Sequence, residues 1–179
     1  KINEKGKRSE PHFKSDWNVD LFYSHNLISH LGVYSSSLLQ KTGGFSDEMI
    51  GSQDYDLALR CIEHIEARQI YHIPRALYHW RIHNQSTAKD YDNKPYAMLA
   101  GQKALNEHFK RLGMQAEVEI TNQGFRVHYA LPERPPLVSL IIPTRNGCEL
   151  IQQCVESILA KTTYQNYEII IIDNGSDDP

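Results

Sequence analysis

Two unbroken apolar runs stand out near the end of the chain, Leu137-Val138-Ser139-Leu140-Ile141-Ile142 and Glu168-Ile169-Ile170-Ile171-Ile172-Asp173. Runs of this kind predict strands buried on both faces of a parallel sheet. Between them Leu150, Ile151, Cys154, Val155, Ile158 and Leu159 recur at helical spacing and predict an amphipathic helix. The three elements make one β-α-β unit, whose crossover should be right-handed. Parallel sheets take ligands beyond the carboxyl ends of their strands, so Pro143-Thr144-Arg145-Asn146 and Asp173-Asn174-Gly175-Ser176 should share one mouth. The pattern serves a nucleotide pocket and a pair of plain turns about equally.

Upstream the apolar positions are sparser. Residues 1–15 are polar and predict an exposed loop, with apolar anchors at 17–22. Residues 30–34 predict a strand, and 35–41 a short helix opened by serine caps and closed by Gly43. Past Gly43-Gly44 and an acidic loop, Tyr55, Ala58, Leu59, Ile62 and Ile65 predict a helix with one buried face. Residues 69–74 (stopped by Pro74) and 76–81 predict two strands, and 82–92 a polar loop. From Pro95 to Leu112 the spacing is again helical, and Gly113 ends it. Residues 117–121 and 125–131 flank Asn122-Gln123-Gly124 as a hairpin. Pro132-Glu133-Arg134-Pro135-Pro136 predicts a stiff linker and a domain boundary.

Composition narrows the classes. The 179 residues suffice for one domain or two small ones, and 40% hydrophobic with 23% charged residues is ordinary for a globular protein. A net charge of −3 gives no electrostatic case for binding nucleic acid. Cys61, Cys148 and Cys154 form no metal-like pair; Cys61 and Cys154 fall on apolar helix faces and predict buried free thiols in a reducing compartment. The nine histidines lack the spacing of a structural metal site. No apolar run approaches the ~20 residues of a membrane span, no signal peptide is visible, and the chain reads as cytosolic. Glycine-rich dinucleotide and Walker lysine motifs are absent, which argues against those phosphate sites. Both ends read as cut from a longer protein.

Asp54 attracts attention because it sits where the acidic loop meets the first turn of a helix. A carboxylate there is well placed to act as a general base. The same position also suits a helix cap, which the local pattern alone favours.

The segment from Val138-Ser139-Leu140-Ile141-Ile142-Pro143-Thr144-Arg145-Asn146 to Ile171-Ile172-Asp173-Asn174-Gly175-Ser176 resembles the opening of a family 2 glycosyltransferase domain. An earlier block resembles the closing half of the same kind of domain. It runs from Asn26 through Gly43-Gly44-Phe45 and Gln53-Asp54-Tyr55-Asp56-Leu57 to Tyr78-His79-Trp80-Arg81-Ile82-His83-Asn84-Gln85-Ser86-Thr87. The resemblance implies an α/β, partial GT-A (nucleotide-diphospho-sugar transferase, Rossmann-like) fold with a C-terminal β-α-β unit. A closing half ahead of an opening half implies a piece spanning the junction of two tandem domains. Residues 1–93 would close the first, 94–136 would be a helix, hairpin and Pro-rich linker, and 137–179 would begin the second. Alternatively, the C-terminal unit completes the N-terminal half-domain, in cis or between chains.

The implied activity is sugar transfer from a nucleotide-diphospho-sugar to a saccharide or lipid-linked saccharide acceptor in bacterial surface-polysaccharide synthesis. Inversion at the sugar is expected, in the cytoplasm or peripherally at the inner face of the membrane. By resemblance Asp54 matches the acid that deprotonates the acceptor hydroxyl, although Gln53 stands where the family often has glutamate. His83 matches a histidine that helps hold Mn²⁺ or Mg²⁺ against the diphosphate; read alone, it is a loop histidine. Arg81 pairs either with phosphate oxygens or with a neighbouring acid. Thr144, Arg145 and Asp173 match positions around the donor's base and ribose, and Asn174 replaces a frequently acidic second position. The family's metal-binding DxD motif has no counterpart in the right order, since Asp90-Tyr91-Asp92 follows His83 and lacks a preceding apolar strand. The isolated chain is therefore expected to be inactive. A non-catalytic nucleotide- or saccharide-binding module is the rival class.

Overall fold

The computed structural model describes residues 1–81 and 95–177. It divides into two compact units, Lys1–Ala130 and Leu131–Pro179.

The first unit is mainly helical. Helix α1, Val19–Ser24, is capped by Asn18, whose Oδ1 accepts the Leu21 N–H at 2.8 Å. Helix α2, Ser36–Thr42, starts at Ser35, whose Oγ accepts the Leu38 N–H at 3.2 Å. It stops at Gly43, which takes the left-handed conformation (φ 77°) that ends helices. Helix α3, Gln53–Ile62, is shorter than its apolar spacing suggests, because a turn intervenes before Ile65. Helix α4, Pro95–Arg111, opens on proline, whose missing N–H costs nothing at a first helical position. Strands β1, Ala116–Thr121, and β2, Gly124–Tyr129, form the expected antiparallel hairpin.

These elements close around aromatic residues. Phe22 of α1 meets Tyr55 of α3 edge to face at 5.1 Å, and Tyr23 meets Phe109 of α4 at 4.9 Å. Such pairs add to the burial of their area. The Tyr55 hydroxyl donates to the Phe22 carbonyl at 2.6 Å, so its burial leaves no orphaned donor. The hairpin caps this core through buried Val118 and through Phe125, which stacks on Tyr55 at 6.0 Å. Backbone contact there is close: a Cβ on Gly124 would lie 2.3 Å from the Ser24 carbonyl oxygen.

Three predicted strands do not form. Residues 30–34, 69–74 and 76–81 are irregular, with a short 3-10 turn at Ala67–Gln69. Alternating side chains make a strand only when a second backbone takes up the ladder. Among the described residues the only such link is a parallel bridge between Ile2 and Arg81, with the Ile2 N–H donating to Trp80 O at 2.8 Å. Ring contacts take the place of a ladder: His30 stacks on Tyr78 at 5.0 Å and meets Trp80 edge on at 5.5 Å. The N-terminal loop is exposed as expected, but it folds back on itself through a bridge between Ile2 and Arg8.

The second unit is a β-α-β unit. Strand β3, Val138–Thr144, runs parallel to β4, Tyr167–Asp173, with helix α5, Cys148–Lys161, between them in sequence. The expected burial on both sheet faces does not hold. Leu140 and Ile142 are half-buried, but Ile141 is 61% exposed and its neighbours across the sheet, Ile170 and Ile172, are 40% and 49% exposed. Two strands and one helix supply no layer for the second face. For the same reason Cys154 is exposed rather than buried, while Cys61 sits in the first core as expected.

Candidate functional site

The parallel register pairs Thr144 with Asp173, and the Asn174 N–H extends the ladder to the Thr144 carbonyl at 2.8 Å. Both loops therefore leave the sheet side by side and lock together. Asn146 adopts a left-handed φ of 51°, and its N–H donates to Ser176 Oγ at 3.0 Å. Its side-chain amide donates to Asp177 Oδ1 at 2.5 Å and accepts the Asp177 N–H at 2.9 Å. The Asp173 carboxylate accepts the Ser176 hydroxyl and, at 3.1 and 3.2 Å, the Ser176 N–H. These hydrogen bonds hold Asp173 below the usual carboxylate range. Thr144, Arg145, Asp173 and Asn174 are thus gathered at one end of the sheet, as the sequence predicts. An ionised, fixed carboxylate beside exposed Arg145 can accept hydrogen bonds from hydroxyl or ring N–H groups.

In the first unit, Asp54 lies exposed in the first turn of α3. Ser52 holds the N-cap position but makes no side-chain cap bond; its hydroxyl donates instead to Ala97 O of α4 at 2.7 Å. The Asp54 carboxylate accepts, at Oδ2, the side-chain N–H of Asn26 at 2.9 Å. Tyr34 faces the same neighbourhood. Burial, reinforced by the nearby Asp54 charge, pushes its phenol up to about 12 and keeps it protonated. Arg81 is exposed and takes part in the bridge to Ile2. His83 and the Asp90-Tyr91-Asp92 triplet lie outside the described residues. Asp54 and Arg81 belong to one unit and the Thr144–Asp173 mouth to the other.

Among the described residues no group of three or more His, Cys, Asp or Glu side chains could hold a metal ion. They do not by themselves fit the divalent cation that the resemblance implies.

Two features escaped the sequence reading. Asp56, beside Asp54, is buried and paired with Arg60 at 2.6 Å; four-residue spacing of opposite charges was the available signal. His108, on α4, joins a buried chain. The Tyr23 hydroxyl lies 3.0 Å from its Nε2, and Glu63 accepts from its Nδ1 at 2.7 Å. Glu63 also takes Arg111 in a forked pair.

Comparison with known proteins places these observations. Residues 139–179 match the profile of Glycosyl transferase family 2. The chain is 47% identical over 178 residues to the uncharacterized protein y4gI of Sinorhizobium fredii, a match covering 98% of the chain and 20% of that protein. It is 35% identical over 179 residues to the O-antigen biosynthesis protein RfbC of Myxococcus xanthus, covering 99% of the chain and 14% of the relative. A segment of 42 residues is 50% identical to the glycosyltransferase GlyG of Streptococcus pneumoniae, covering 24% of the chain and 14% of the relative. The chain thus spans a fifth or less of the length of these relatives. No solved structure matches it. Residues 139–179 thus carry family 2 glycosyltransferase sequence, within a mixed α/β structure consistent with a partial GT-A, Rossmann-like fold. Among the described residues no helix is long and apolar enough to cross a membrane.

Proposed function

We propose that the full-length protein transfers a sugar from a nucleotide-diphospho-sugar to a saccharide or lipid-linked saccharide acceptor in bacterial surface-polysaccharide synthesis. The observation that carries this reading is the similarity of the chain, across both units, to a protein named for O-antigen biosynthesis. The reading takes the chain as the junction of two tandem domains: one closes with residues 1–93, and the next opens at 137–179 after the helix, hairpin and linker. It places the work in the cytoplasm or at the inner face of the membrane.

In the closing half Asp54 acts as base. Its carboxylate takes the proton of the acceptor hydroxyl while that oxygen attacks the anomeric carbon. The bond from that carbon to the diphosphate breaks, the nucleoside diphosphate leaves with the electron pair, and the sugar is inverted. Arg81 pairs with the diphosphate oxygens. In the opening half Thr144, Arg145, Asp173 and Asn174 surround the donor's base and ribose. Support comes from the accessible Asp54 carboxylate at a helix start and from the hydrogen-bonded, ionised Asp173 at the end of a parallel sheet.

Nucleotide release by the full-length protein tests the reading, with several sugar nucleotides, with and without acceptor, and with Mn²⁺, Mg²⁺ or chelator. Acceptor-dependent release that Asp54→Asn abolishes is the expected result. Chelator reads cation dependence, with His83→Ala as the paired variant. The 179-residue chain alone is expected to release none. Binding without turnover under every pairing would leave a non-catalytic module instead.

A further inference from the structure

The bond from Asn26 to Asp54 joins the loop after α1 to the first turn of α3, across 28 positions of sequence. Its geometry fixes the amide at both ends. Asn26 Oδ1 accepts the Ser29 N–H at 3.0 Å, and a backbone N–H can only donate. The other end faces an ionised carboxylate, which can only accept. Neither contact survives a flip of the amide, so one orientation satisfies both. Asn26 is itself half-buried and is followed by Leu27, which is packed into the core. An exposed carboxylate, free to rotate in water, is thereby tied at Oδ2 to a firmly mounted donor.

We infer that Asn26 is the positioning residue for Asp54, holding Oδ2 so that Oδ1 meets the acceptor hydroxyl. The inference rests on the proposed role of Asp54 as base. A base must be held within hydrogen-bond reach of the proton it removes, and small misplacements at such a point are costly in rate. Among the described residues Tyr34 is close enough to feel the Asp54 charge, and burial keeps its phenol protonated.

Asn26→Asp separates positioning from scaffolding, because it keeps an oxygen for the Ser29 N–H and removes only the donor to Asp54. In the full-length protein, assayed for acceptor-dependent nucleotide release, kcat should fall by roughly 10- to 100-fold with donor KM little changed. The acidic limb of the kcat profile should move to higher pH, since a second carboxylate beside Asp54 makes ionisation harder. Asn26→Ala adds no charge and should lower kcat by a similar factor without that pH shift. A lower melting temperature with kcat and pH profile unchanged in both variants would reduce Asn26 to a structural clip and overturn the inference. Asp54→Asn, run alongside, separates the two failures. If it abolishes turnover while the Asn26 variants behave as wild type, only the positioning role falls. If it leaves turnover intact, the base role falls and the inference with it.

Discussion

Arg60 Nη2 lies 2.6 Å from Asp56 Oδ2 one helical turn earlier, and the same guanidinium donates to the carbonyl oxygens of Thr42 and Gly44. One side chain thus pairs a buried acid and ties down the carbonyls where α2 gives way to the double-glycine loop. The side chains are only 3% (Asp56) and 17% (Arg60) exposed. Removing either leaves the other charge uncompensated away from water. Asp56→Ala should cost about 3–5 kcal/mol of stability, and Asp56→Asn less, because the amide still accepts from Arg60. Chemical denaturation of the variants reads both values. A midpoint for Asp56→Ala equal to wild type would show that the pair adds nothing.

The chain from Tyr23 through His108 and Glu63 to Arg111 makes stability depend on pH. His108 is held below its ordinary value of 6.5, chiefly because burial disfavours the imidazolium and only partly offset by Glu63. The neutral ring with hydrogen on Nδ1 donates to Glu63 and accepts from Tyr23, whose phenol burial pushes up to about 12. Burial pushes Glu63 up, but hydrogen bonds from Arg111 and His108 outweigh it and leave the carboxyl below its ordinary 4.5. The unfolded chain therefore binds protons that the folded one refuses. Stability should fall as pH drops below about 6.5 through His108, then again below about 4.5 through Glu63. Melting temperatures across that range check the sign, and His108→Gln should flatten the upper part of the slope.

Gly124 opens β2 at φ 131° with its Cα against the Ser24 carbonyl. Gly124→Ala would bring a methyl into a backbone atom and strain the dihedral as well. Its cost should reach about 1–3 kcal/mol. Tryptophan fluorescence during urea unfolding is a suitable reporter, since Trp17 packs on Phe22 of α1 at 5.0 Å. A cost near zero would mean that the hairpin floats on α1.

At the end of the parallel sheet, Ser176→Ala should release Asp173 toward its ordinary value of 3.8, because the hydroxyl is its leading stabiliser. A carboxyl titration by NMR on the 179-residue chain reads this directly. An unmoved titration would assign the depression to the backbone N–H alone.

Elements fixed by local chemistry were legible. Ser35 and Gly43 bracket α2, Pro95 and Gly113 bracket α4, and Asn122-Gln123-Gly124 closes the hairpin within a residue or two of expectation. The convergence of Thr144 with Asp173 followed from the rule that parallel strands end together. Strands proposed at 30–34, 69–74 and 76–81 failed because pairing is a property of two segments, and alternation reports only one. Cys154 failed similarly, since an apolar helix face is buried only if something covers it. Around Asp54 the carboxylate itself could be singled out from its place in the chain, whereas its partner Asn26 could not. No local pattern announces a contact between residues so far apart in sequence.

The open face of β3 and β4 has a practical consequence. Rows of isoleucine beside strand edges that have no further strand partner among the described residues are a template for further strands. Concentrating the 179-residue piece should make it stack on itself, binding hydrophobic dyes and clouding solution. Its handling would then be ruled by stickiness rather than by the melting of its helical unit, and charged substitutions at Ile141 and Ile170 would be the remedy.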